Sequence, residues 1–530
     1  MSRHTPAAQV PDSDGYLSHR QILVVLGGLM AGMFLAALDQ SVLGTALPAI
    51  TSDLGGLDKL SWVVTSYLLT STAGVPLWGK ISDLYGRRPM FQTAIIIFIL
   101  GSMLSGVAQN IEQLIAFRAV QGLGGGGLFA LALAIIGDVI PPRERGRYQG
   151  YFGVVFGTSS VLGPVLGGGF TEGPGWRWIF FINVPIGIAA LVVTSMALKM
   201  PVVRRDHRID YLGAATVVAA VTSLLLYTAW AGPDYGWGSA TAIALLVAGA
   251  VLVGLFVLVE SRASEPIIPL ELFRDSVFSL SIVYTLITGF VMFGAFIFIP
   301  MYLQVVMGMS PTESGLAMLP MVVGIFSTSI SAGQLMSRTG RYKVFPIAAA
   351  VVMVVALVTF GQLDSASPYW QAAIAMYLLG AGLGLQMQVL VTVVQNTVDR
   401  RHMGSATSSV TFFRQMGGSF GTAVFGAIIT SRVAAHLGQL PGTAASAMPD
   451  TNDLTAIRGL PPAIRERVIE AFSLSIGEAF LTGVPLMVVA FVVAWFIKER
   501  PLGARGPAAG PSTPEEPVAQ AATGASTDSA

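Results

Sequence analysis

Three ionisable side chains stand inside long apolar runs of this 530-residue chain, where an unpaired charge is costly. Asp39 lies about seventeen residues into the first run, in its outer half, and Arg118 lies about one and a half turns into the fourth run. The two side chains can therefore share a depth. A carboxylate beside an arginine has its proton affinity raised by desolvation and lowered by the ion pair. Asp39 and Arg118 are therefore predicted to couple a proton to another event, with a structural ion pair between two helices as the alternative.

Arg414, in the stretch "TFFRQMGGSFG", is the third such residue. Because arginine cannot usefully release a proton, its partner would be an acidic side chain, a cluster of carbonyls or an anionic group of a substrate. A purely structural role is an equal alternative. A binding cavity in such a chain should be lined by aromatic and amide side chains, whose rings would suit lipophilic cations through cation–π contacts. The predicted lining residues, each of which could instead only pack or face lipid, are Tyr284, Phe290, Phe293, Gln386 and Arg414.

The stretch "GKISDLYGRRPM" concentrates charge between two apolar runs. Its paired glycines suit a tight turn between helices, and its arginines suit a membrane face with anionic headgroups. Asp83 is placed to accept hydrogen bonds from a basic side chain or from a helix N-terminus. The stretch predicts a cytoplasmic gating loop, with a simple membrane anchor as the alternative. Its key residues are Gly79, Asp83, Gly86, Arg87 and Arg88.

The stretch "GTSSVLGPVLGGG" has a mechanical interpretation. Small residues let helices pack closely, and a proline inside a helix removes a backbone donor and bends the helix. A bent helix with a glycine face can act as a hinge or a seal, whereas a plain close-packing face is the alternative. The residues of this predicted hinge are Gly157, Gly163, Pro164, Gly167 and Gly168.

The elements that must hold these side chains are membrane-spanning helices. Hydrophobic residues make up 53% of the chain and charged residues only 11%. A bilayer core about 30 Å thick needs about twenty apolar residues per helix, and runs of that length recur throughout. The chain is therefore predicted to be an all-α polytopic membrane protein with fourteen transmembrane helices. They lie near 21–48, 60–79, 90–108, 113–137, 148–170, 178–198, 210–230, 239–259, 277–303, 314–336, 344–362, 369–395, 405–431 and 475–497.

The distribution of basic residues predicts the orientation of these helices. If both termini are cytoplasmic, 22 of the 30 Lys and Arg residues fall on the inside, six fall outside and two lie within helices. Cytoplasmic loops retain Lys and Arg, so this strongly one-sided pattern is the expected one. We therefore predict a multi-pass protein of the bacterial cell (inner) membrane with both termini in the cytoplasm.

An internal repeat divides the chain into two similar halves. The pair Gly79 and Gly86 recurs as Gly333 and Gly340, again with an arginine after the second glycine. Such repeats are common in membrane proteins built from two like bundles. The seventh and eighth spans are uniformly apolar, as expected for an insert that faces lipid. The predicted domains are a cytoplasmic tail 1–20, a six-helix bundle 21–200, two inserted transmembrane helices 201–263, a second six-helix bundle 264–500 with an outer loop 432–474, and a disordered cytoplasmic tail 501–530.

Several classes of function are not supported by the sequence. The chain contains no cysteine, and its five histidines lie in tails or loops without the spacing of a metal site. It contains neither a nucleophile–base constellation nor a P-loop, so it is predicted to be neither an enzyme nor an ATP-driven pump. No metal site, no cofactor and no nucleic-acid partner are expected.

Five motifs in order resemble those of the fourteen-spanner drug:proton antiporters of the major facilitator superfamily, the EmrB/QacA-like group. The resemblance extends over roughly residues 20 to 500. The "LDQSVLGTALP" stretch carries Asp39 in the acidic position of the first-helix motif, and "LIAFRAVQGLGGGG" carries Arg118 and Gln121 of the fourth-helix motif. The charged loop, the "GTSSVLGPVLGGG" stretch and "WRWIFFINVPIG" are similar to the remaining three.

The resemblance implies a major facilitator fold of two six-helix bundles plus two inserted helices, working by alternating access. It implies a proton-coupled antiporter that exports hydrophobic or cationic drugs, a multidrug efflux function associated with antibiotic resistance. Export of an endogenous lipid or secondary metabolite by the same fold is the alternative. The expected partners are a small amphiphilic substrate, protons and the lipid bilayer, with the proton gradient as energy source and a monomer as the working unit.

Overall fold

The structure is a computed structural model, and it describes residues 19–55, 59–198, 210–230, 236–438 and 461–500. Within these ranges the chain is helical and contains no β-strand. Two short 3₁₀ turns, Leu270–Arg274 and Arg400–His402, connect helices. The α-helices of the described ranges are α1 (His19–Leu54), α2 (Leu60–Tyr85), α3 (Arg87–Gly106), α4 (Ile111–Val139), α5 (Pro142–Glu172), α6 (Trp178–Phe181), α7 (Asn183–Ala197), α8 (Tyr211–Trp230), α9 (Ala240–Glu260), α10 (Ser276–Val305), α11 (Pro311–Ala317), α12 (Leu319–Thr339), α13 (Val344–Gly361), α14 (Tyr369–Thr397), α15 (Met403–Gly438) and α16 (Pro462–Phe496).

Most of these helices are suited to cross a bilayer. A helix satisfies its backbone N–H and C=O groups internally, which a bilayer core requires because water is absent. Among the described residues, twelve helical segments are both long enough and apolar enough to span a membrane. The predicted spans 60–79 and 148–170 fall on α2 and α5, which have the length but are less apolar. The chain is therefore an all-α polytopic membrane protein, whereas the count of fourteen spans stays a prediction.

Two large hydrophobic cores divide the bundle into a first and a second half. The first core is built mainly from α1, α3 and α4, with Leu29, Phe91 and Leu128 fully buried in it. The second core is built from α10, α13, α14 and α16, with Met353 and Phe480 among its buried side chains. Each half therefore has a packed interior, and the first core extends across the contact between the halves to Phe278 of α10, Val391 of α14 and Val410 of α15.

Helices α2 and α5 make much of the contact between the two halves. Helix α2 of the first half packs on α15 of the second half, and α5 packs on α12 and α14. Glycine permits both approaches. A Cβ atom at Gly79 would overlap the side chain of Ser408, and one at Gly157 would overlap Val322.

The two inserted helices differ in their surroundings. Helix α9 packs mainly on α8 and is otherwise exposed on the outside of the bundle, as expected for a helix that faces lipid. Helix α8 does not fit that expectation, because it fills the gap between α2 and α15 and contacts both. Its side chains Leu225, Thr228 and Ala229 contribute to the wall of a central cavity. The apolar side chains of α8 therefore close one side of the cavity and do not face only lipid.

The described parts of the predicted outer loop 432–474 are helical at both ends. Helix α15 continues to Gly438, and α16 runs without interruption from Pro462 to Phe496. The segment after Pro462, which falls inside the predicted loop, is the beginning of α16. Its apolar residues Val468 and Phe472 are buried in the second core.

Some of the predicted segments lie outside the described residues. These are positions 1–18 of the predicted tail 1–20, the middle of the predicted outer loop at 439–460, and the tail 501–530 that was expected to be disordered. The connections 199–209 and 231–235 around the inserted helices also lie outside them.

We predict that Gly126→Ala destabilises the protein whereas Gly254→Ala does not. Both glycines lie inside helices. A Cβ at position 126 would overlap the Ser71 carbonyl on α2, but a Cβ at position 254 on α9 meets no atom within 4 Å. Overpacking of this kind costs about 1–3 kcal/mol, and alanine at an open helical position is neutral or slightly favourable. Thermal unfolding in detergent measures both variants, and equal midpoints would contradict the α2–α4 packing.

Candidate functional site

The side chain of Asp39 is the centre of a buried polar network in the first half. Its Oδ2 atom lies 2.6 Å from Nη1 of Arg118, and its Oδ1 atom accepts hydrogen bonds from Gln121 at 2.8 Å and from Asn183 at 3.0 Å. The side chains of Asp39 and Arg118 are only 2% and 1% exposed. Three helices are joined at this point, because Asp39 lies on α1, Arg118 and Gln121 lie on α4, and Asn183 begins α7.

The guanidinium of Arg118 makes further contacts that hold it in place. Its Nη1 also donates to Gln121 Oε1 at 2.8 Å, and its Nε donates to the Val63 carbonyl at 3.3 Å. The ring of Tyr67 lies 4.3 Å from the guanidinium carbon. A buried ion pair is tolerated only when such additional partners satisfy its remaining atoms. The sequence predicted that Asp39 and Arg118 share a depth, and the structure brings them into direct contact.

Asn183 is a member of this network that the sequence argument did not single out. It donates to Asp39 and also to Ser102 Oγ at 3.0 Å. The available signal was an amide inside the otherwise apolar stretch "WRWIFFINVPIG", because polar side chains at membrane depth need partners. That stretch also holds Trp176 and Arg177, whose hydrogen bonds to Asp53 lower the pKa of that exposed carboxyl at the end of α1.

A second charged site lies where α2 ends and α15 begins, at the face we call the Asp83 face. Asp83 accepts hydrogen bonds from the backbone N–H of Gly404 at 3.0 Å and of Ser405 at 2.9 Å, and also from the Ser405 hydroxyl at 3.1 Å. These N–H groups belong to the first turn of α15, which lacks internal acceptors for them. The carboxylate of the first half therefore caps a helix of the second half.

Arg87 completes the site at the Asp83 face. It lies 2.6 Å from Asp83 Oδ1, donates through Nε to Asp138 at 2.6 Å, and donates to the Ser82 hydroxyl. The turn between α2 and α3 is made by Gly86, whose φ of 95° favours glycine. Arg88 has a different role, since its Nη2 donates to the Ser195 carbonyl at the end of α7.

Asp83 thus has both kinds of partner that the sequence predicted, a basic side chain and a helix N-terminus. Whether this contact gates a movement stays a prediction. Its location already distinguishes it from the network around Asp39, because only the Asp83 contact joins the two halves.

A cavity of about 430 Å³ lies between the two halves, in the part of the bundle away from the Asp83 face. Its volume is that of a site for a drug-sized molecule. Gln40 lines this cavity whereas its neighbour Asp39 does not. The wall is formed by Met33, Gln40, Val64, Thr65, Leu68, Leu69, Thr72, Phe129, Leu133, Leu225, Thr228, Ala229, Met292, Phe293, Ile297, Met387, Gln388, Thr411, Arg414, Gln415, Gly418, Ser419, Thr422 and Ala423.

Two of the five predicted lining residues lie at this cavity. Phe293 and Arg414 line the cavity. Tyr284 does not, because it lies half a helical rotation from Phe293 and donates its hydroxyl to the Pro346 carbonyl at 2.7 Å inside the second core. Phe290 packs on Phe425 rather than lining the cavity.

Gln386, the fifth predicted lining residue, does not line this cavity either. Its side chain is buried away from the cavity, and Gln388 lines the wall instead. The two positions differ by about 200° around α14, because each residue turns the helix by about 100°. An amide is therefore present at the predicted depth but on a different residue.

The predicted hinge residues lie on α5, which contacts both halves. Gly157 faces α12 of the second half, and Gly163 faces Ser41 of α1 so closely that a Cβ would overlap it. Gly168 has open space around it, and Gly167 is buried. The helix continues through Pro164. The close-packing function of Gly157 and Gly163 is therefore visible, whereas hinge movement stays a prediction.

Comparison with known proteins agrees with this architecture. The family description Major Facilitator Superfamily matches residues 29–422. An uncharacterized MFS-type transporter of Mycobacterium tuberculosis is 42% identical over 481 residues, covering 90% of this chain and 70% of that protein. Multidrug transporter protein MdtP of Bacillus subtilis is 35% identical over 512 residues, covering 92% of this chain and 94% of that protein. The solved proton:xylose symporter XylE superposes with a TM-score of 0.63 at 14% identity, covering 91% of this chain and 98% of XylE, which shows a shared fold.

We predict that Asp83→Ala opens the Asp83 face. Hydrogen bonds to a charged group contribute about 1.5–3 kcal/mol each, and about 1.4 kcal/mol corresponds to a tenfold change in an equilibrium. The chain has no cysteine, so Val398→Cys, at a buried position in this face, gives a single maleimide target. Adding Asp83→Ala should speed labelling at least about tenfold.

Glu271→Ala is the matched control, because it removes an exposed carboxylate near the same face whose contact is with the His402 side chain rather than with the backbone N–H groups of α15. It should leave the labelling rate nearly unchanged. Equal rates for the Asp83 and Glu271 variants would mean that Asp83 does not hold the halves together.

Proposed function

Because the chain belongs to the major facilitator superfamily, we propose that it exports hydrophobic, amphiphilic drugs by proton-coupled antiport with alternating access. The family and the relatives are transporters, so this protein is a multi-pass transporter rather than an enzyme, and its relatives include a multidrug transporter. Drug export and proton coupling are the proposed part.

The observation that carries the proposal is the buried network around Asp39, next to the cavity wall. Asp39 is the acidic member of an ion pair between α1 and α4, and Gln40, the next residue on α1, lines the cavity. Protonation of Asp39 removes its charge and weakens its contact with Arg118, which keeps the Gln121 oxygen and the Val63 carbonyl as acceptors. The tie between α1 and α4 loosens as a result, and α1 carries that change to the cavity.

This coupling differs from direct competition for one site. In direct competition, a proton and a cationic substrate would occupy the same carboxylate in turn. Asp39 is 2% exposed and does not line the cavity, so a substrate in the cavity does not touch it in this conformation. In the proposed mechanism the proton and the substrate therefore act on one another through the position of α1.

The Asp83 face supplies the conformational part of the proposal. The halves are joined there by the contact of Asp83 with α15, and the cavity lies in the other part of the bundle. This is the arrangement expected for one of two alternating states, in which a transporter is closed on one side of its binding site. Breaking the Asp83 contact would let the halves separate at this face.

The remaining features of the proposal concern the cell. Related bacterial proteins support a location in the bacterial inner membrane, and the distribution of basic residues supports cytoplasmic termini with the Asp83 face toward the cytoplasm. We propose that the protein works as a monomer, since the cavity and the Asp39 network are formed within one chain. Export of an endogenous lipid or secondary metabolite would use the same geometry and is the alternative.

Transport into proteoliposomes with an imposed pH gradient tests this function. A panel of amphiphilic fluorescent dyes of different charge should include at least one that the parent protein moves only when the gradient is present. If every dye that the protein moves is moved equally well without the gradient, proton coupling is contradicted. If the protein moves none of the dyes, the endogenous metabolite becomes the leading substrate.

We predict that Asp39→Asn abolishes gradient-driven dye transport, because the amide cannot accept the coupling proton. The same substitution leaves Arg118 without its counter-ion, at a cost of about 3–5 kcal/mol for a buried pair. Thermal unfolding must therefore be measured beside transport. Asp39→Glu, which keeps the carboxylate, should retain part of the coupling if the variant is folded.

Asp53→Asn is the control for this experiment. Asp53 lies on the same helix but is exposed, and its hydrogen bonds with Arg177 and Trp176 lower its pKa, so it stays ionised near neutral pH. Its removal should leave the coupling intact. Normal gradient-driven transport by a folded Asp39→Asn protein would show that Asp39 is structural.

A further inference from the structure

Arg414 differs from the other buried arginines of the described chain. Arg87 and Arg118 are paired with carboxylates, and Arg145 donates to backbone carbonyls at the end of α4. Arg414 makes no hydrogen bond and no ion pair with any described residue, and it lines the cavity between the halves. Its helix, α15, holds it at membrane depth, about eleven residues from the first turn of that helix.

The rest of the cavity wall does not neutralise this charge. None of the lining residues is an aspartate or a glutamate. The wall also offers neutral polar groups, among them Gln388 and Gln415, whose buried Oε1 atoms have no hydrogen-bond partner in the described chain. The cavity therefore carries one fixed positive charge and no fixed negative charge among its described lining residues.

A lone guanidinium in a region of low dielectric attracts an anion and repels a cation. Arginine also binds carboxylates and phosphates with two parallel hydrogen bonds, which adds geometric selectivity. Much of the remaining wall is apolar, with Phe129, Met292 and Phe293 among its side chains. This combination fits a molecule with one anionic group on an apolar body, in contrast to the lipophilic cations that the aromatic residues alone suggested.

We propose that the cavity binds amphiphilic anions, with Arg414 as the residue that holds the anionic group. The apolar body of the ligand lies against the Phe129 and Phe293 side of the wall, and the amides of Gln388 and Gln415 border the anionic end. This inference rests on the proposed export function and names its substrate class. The chemistry that is recognised is an oxyanion beside a hydrophobic body, whether of an exported compound or of an anionic lipid.

Three matched probes test this inference on the full-length protein in nanodiscs. They are 1-pyrenebutyrate, neutral 1-pyrenebutanol and a pyrenebutyl trimethylammonium salt, which share a body and differ in charge. Fluorescence anisotropy should show the butyrate binding at least about tenfold more tightly than the cation, because one guanidinium favours the first and opposes the second. Equal affinities for the three probes, or tighter binding of the cation, would overturn the proposal.

Variants of Arg414 locate the effect. Arg414→Gln should lower butyrate affinity at least about tenfold, the change expected when a charge-assisted hydrogen-bonding partner is lost, and should change pyrenebutanol affinity little. Arg414→Lys keeps the charge and should retain part of the preference. Arg432→Gln removes an exposed arginine from the same helix and should have no effect. Unchanged butyrate affinity in Arg414→Gln would overturn the assignment of the anionic group to Arg414. If that variant does not fold, the probe preferences of Arg414→Lys and of the parent protein decide whether the assignment stands.

The same probes separate this inference from the proposed function. If proteoliposomes with a pH gradient move pyrenebutanol or the cation but neither bind nor move the butyrate, the charge preference is wrong and export stands. If the butyrate binds but no probe is moved, the cavity assignment stands and export fails.

Nanodiscs with and without phosphatidylglycerol identify the source of the anion. If this lipid competes with the butyrate, the site binds a lipid headgroup. If it does not compete, the site binds a soluble amphiphile.

Discussion

Burying a charge inside a membrane is costly unless the charge is paired or reaches water, and this constraint explains much of the described structure. The guanidinium of Arg118 is 1% exposed and is surrounded by a carboxylate, an amide oxygen, a backbone carbonyl and an aromatic ring. Three helices must meet at one point to supply these partners. The packing of α1, α4 and α7 around Asp39 is thus as much a consequence of electrostatics as of apolar burial.

The same kind of interaction has a different consequence at the Asp83 face. Asp39 and its partners all belong to the first half, so a movement of one half against the other leaves their contacts intact. Asp83 instead caps α15, and that contact must break if the halves separate there. Within the proposed mechanism, the first network senses the proton and the second holds one of the two states. α1 and α2 lie in the same half, which allows the two sites to influence one another through shared packing.

Close packing between the halves accounts for the unusual composition of two helices. Helices α2 and α5 lie along the contacts between the halves and are less apolar than a typical span. They meet other helices rather than lipid along much of their length, so small and polar residues are tolerated or required there. Gly79 and Gly157 show the requirement directly, since each is in contact with a side chain of the opposite half. The composition of α2 and α5 is therefore linked to their close approach to the opposite half.

The sequence alone determined the helical membrane architecture, the approximate ends of most helices, the depth shared by Asp39 and Arg118, and the kind of partner that Asp83 accepts. These features depend on local hydrophobic length and on the cost of charge in a bilayer, both of which can be evaluated along the chain. The tertiary structure alone decided which face of each helix meets the cavity. Lipid and a protein core are both apolar, so the hydrophobic pattern of a spanning helix does not specify its rotation.

The rotation of each helix explains where the sequence expectations and the structure differ. Phe293 lines the cavity whereas Tyr284 does not, Gln388 lines it whereas Gln386 does not, and α8 forms part of the cavity wall rather than facing only lipid. The rotation of α1 also directs Asp39 toward the interior of its own half while its neighbour Gln40 lines the cavity. Rotation and partner choice are set by contacts between residues far apart in the chain, and only the folded structure contains them.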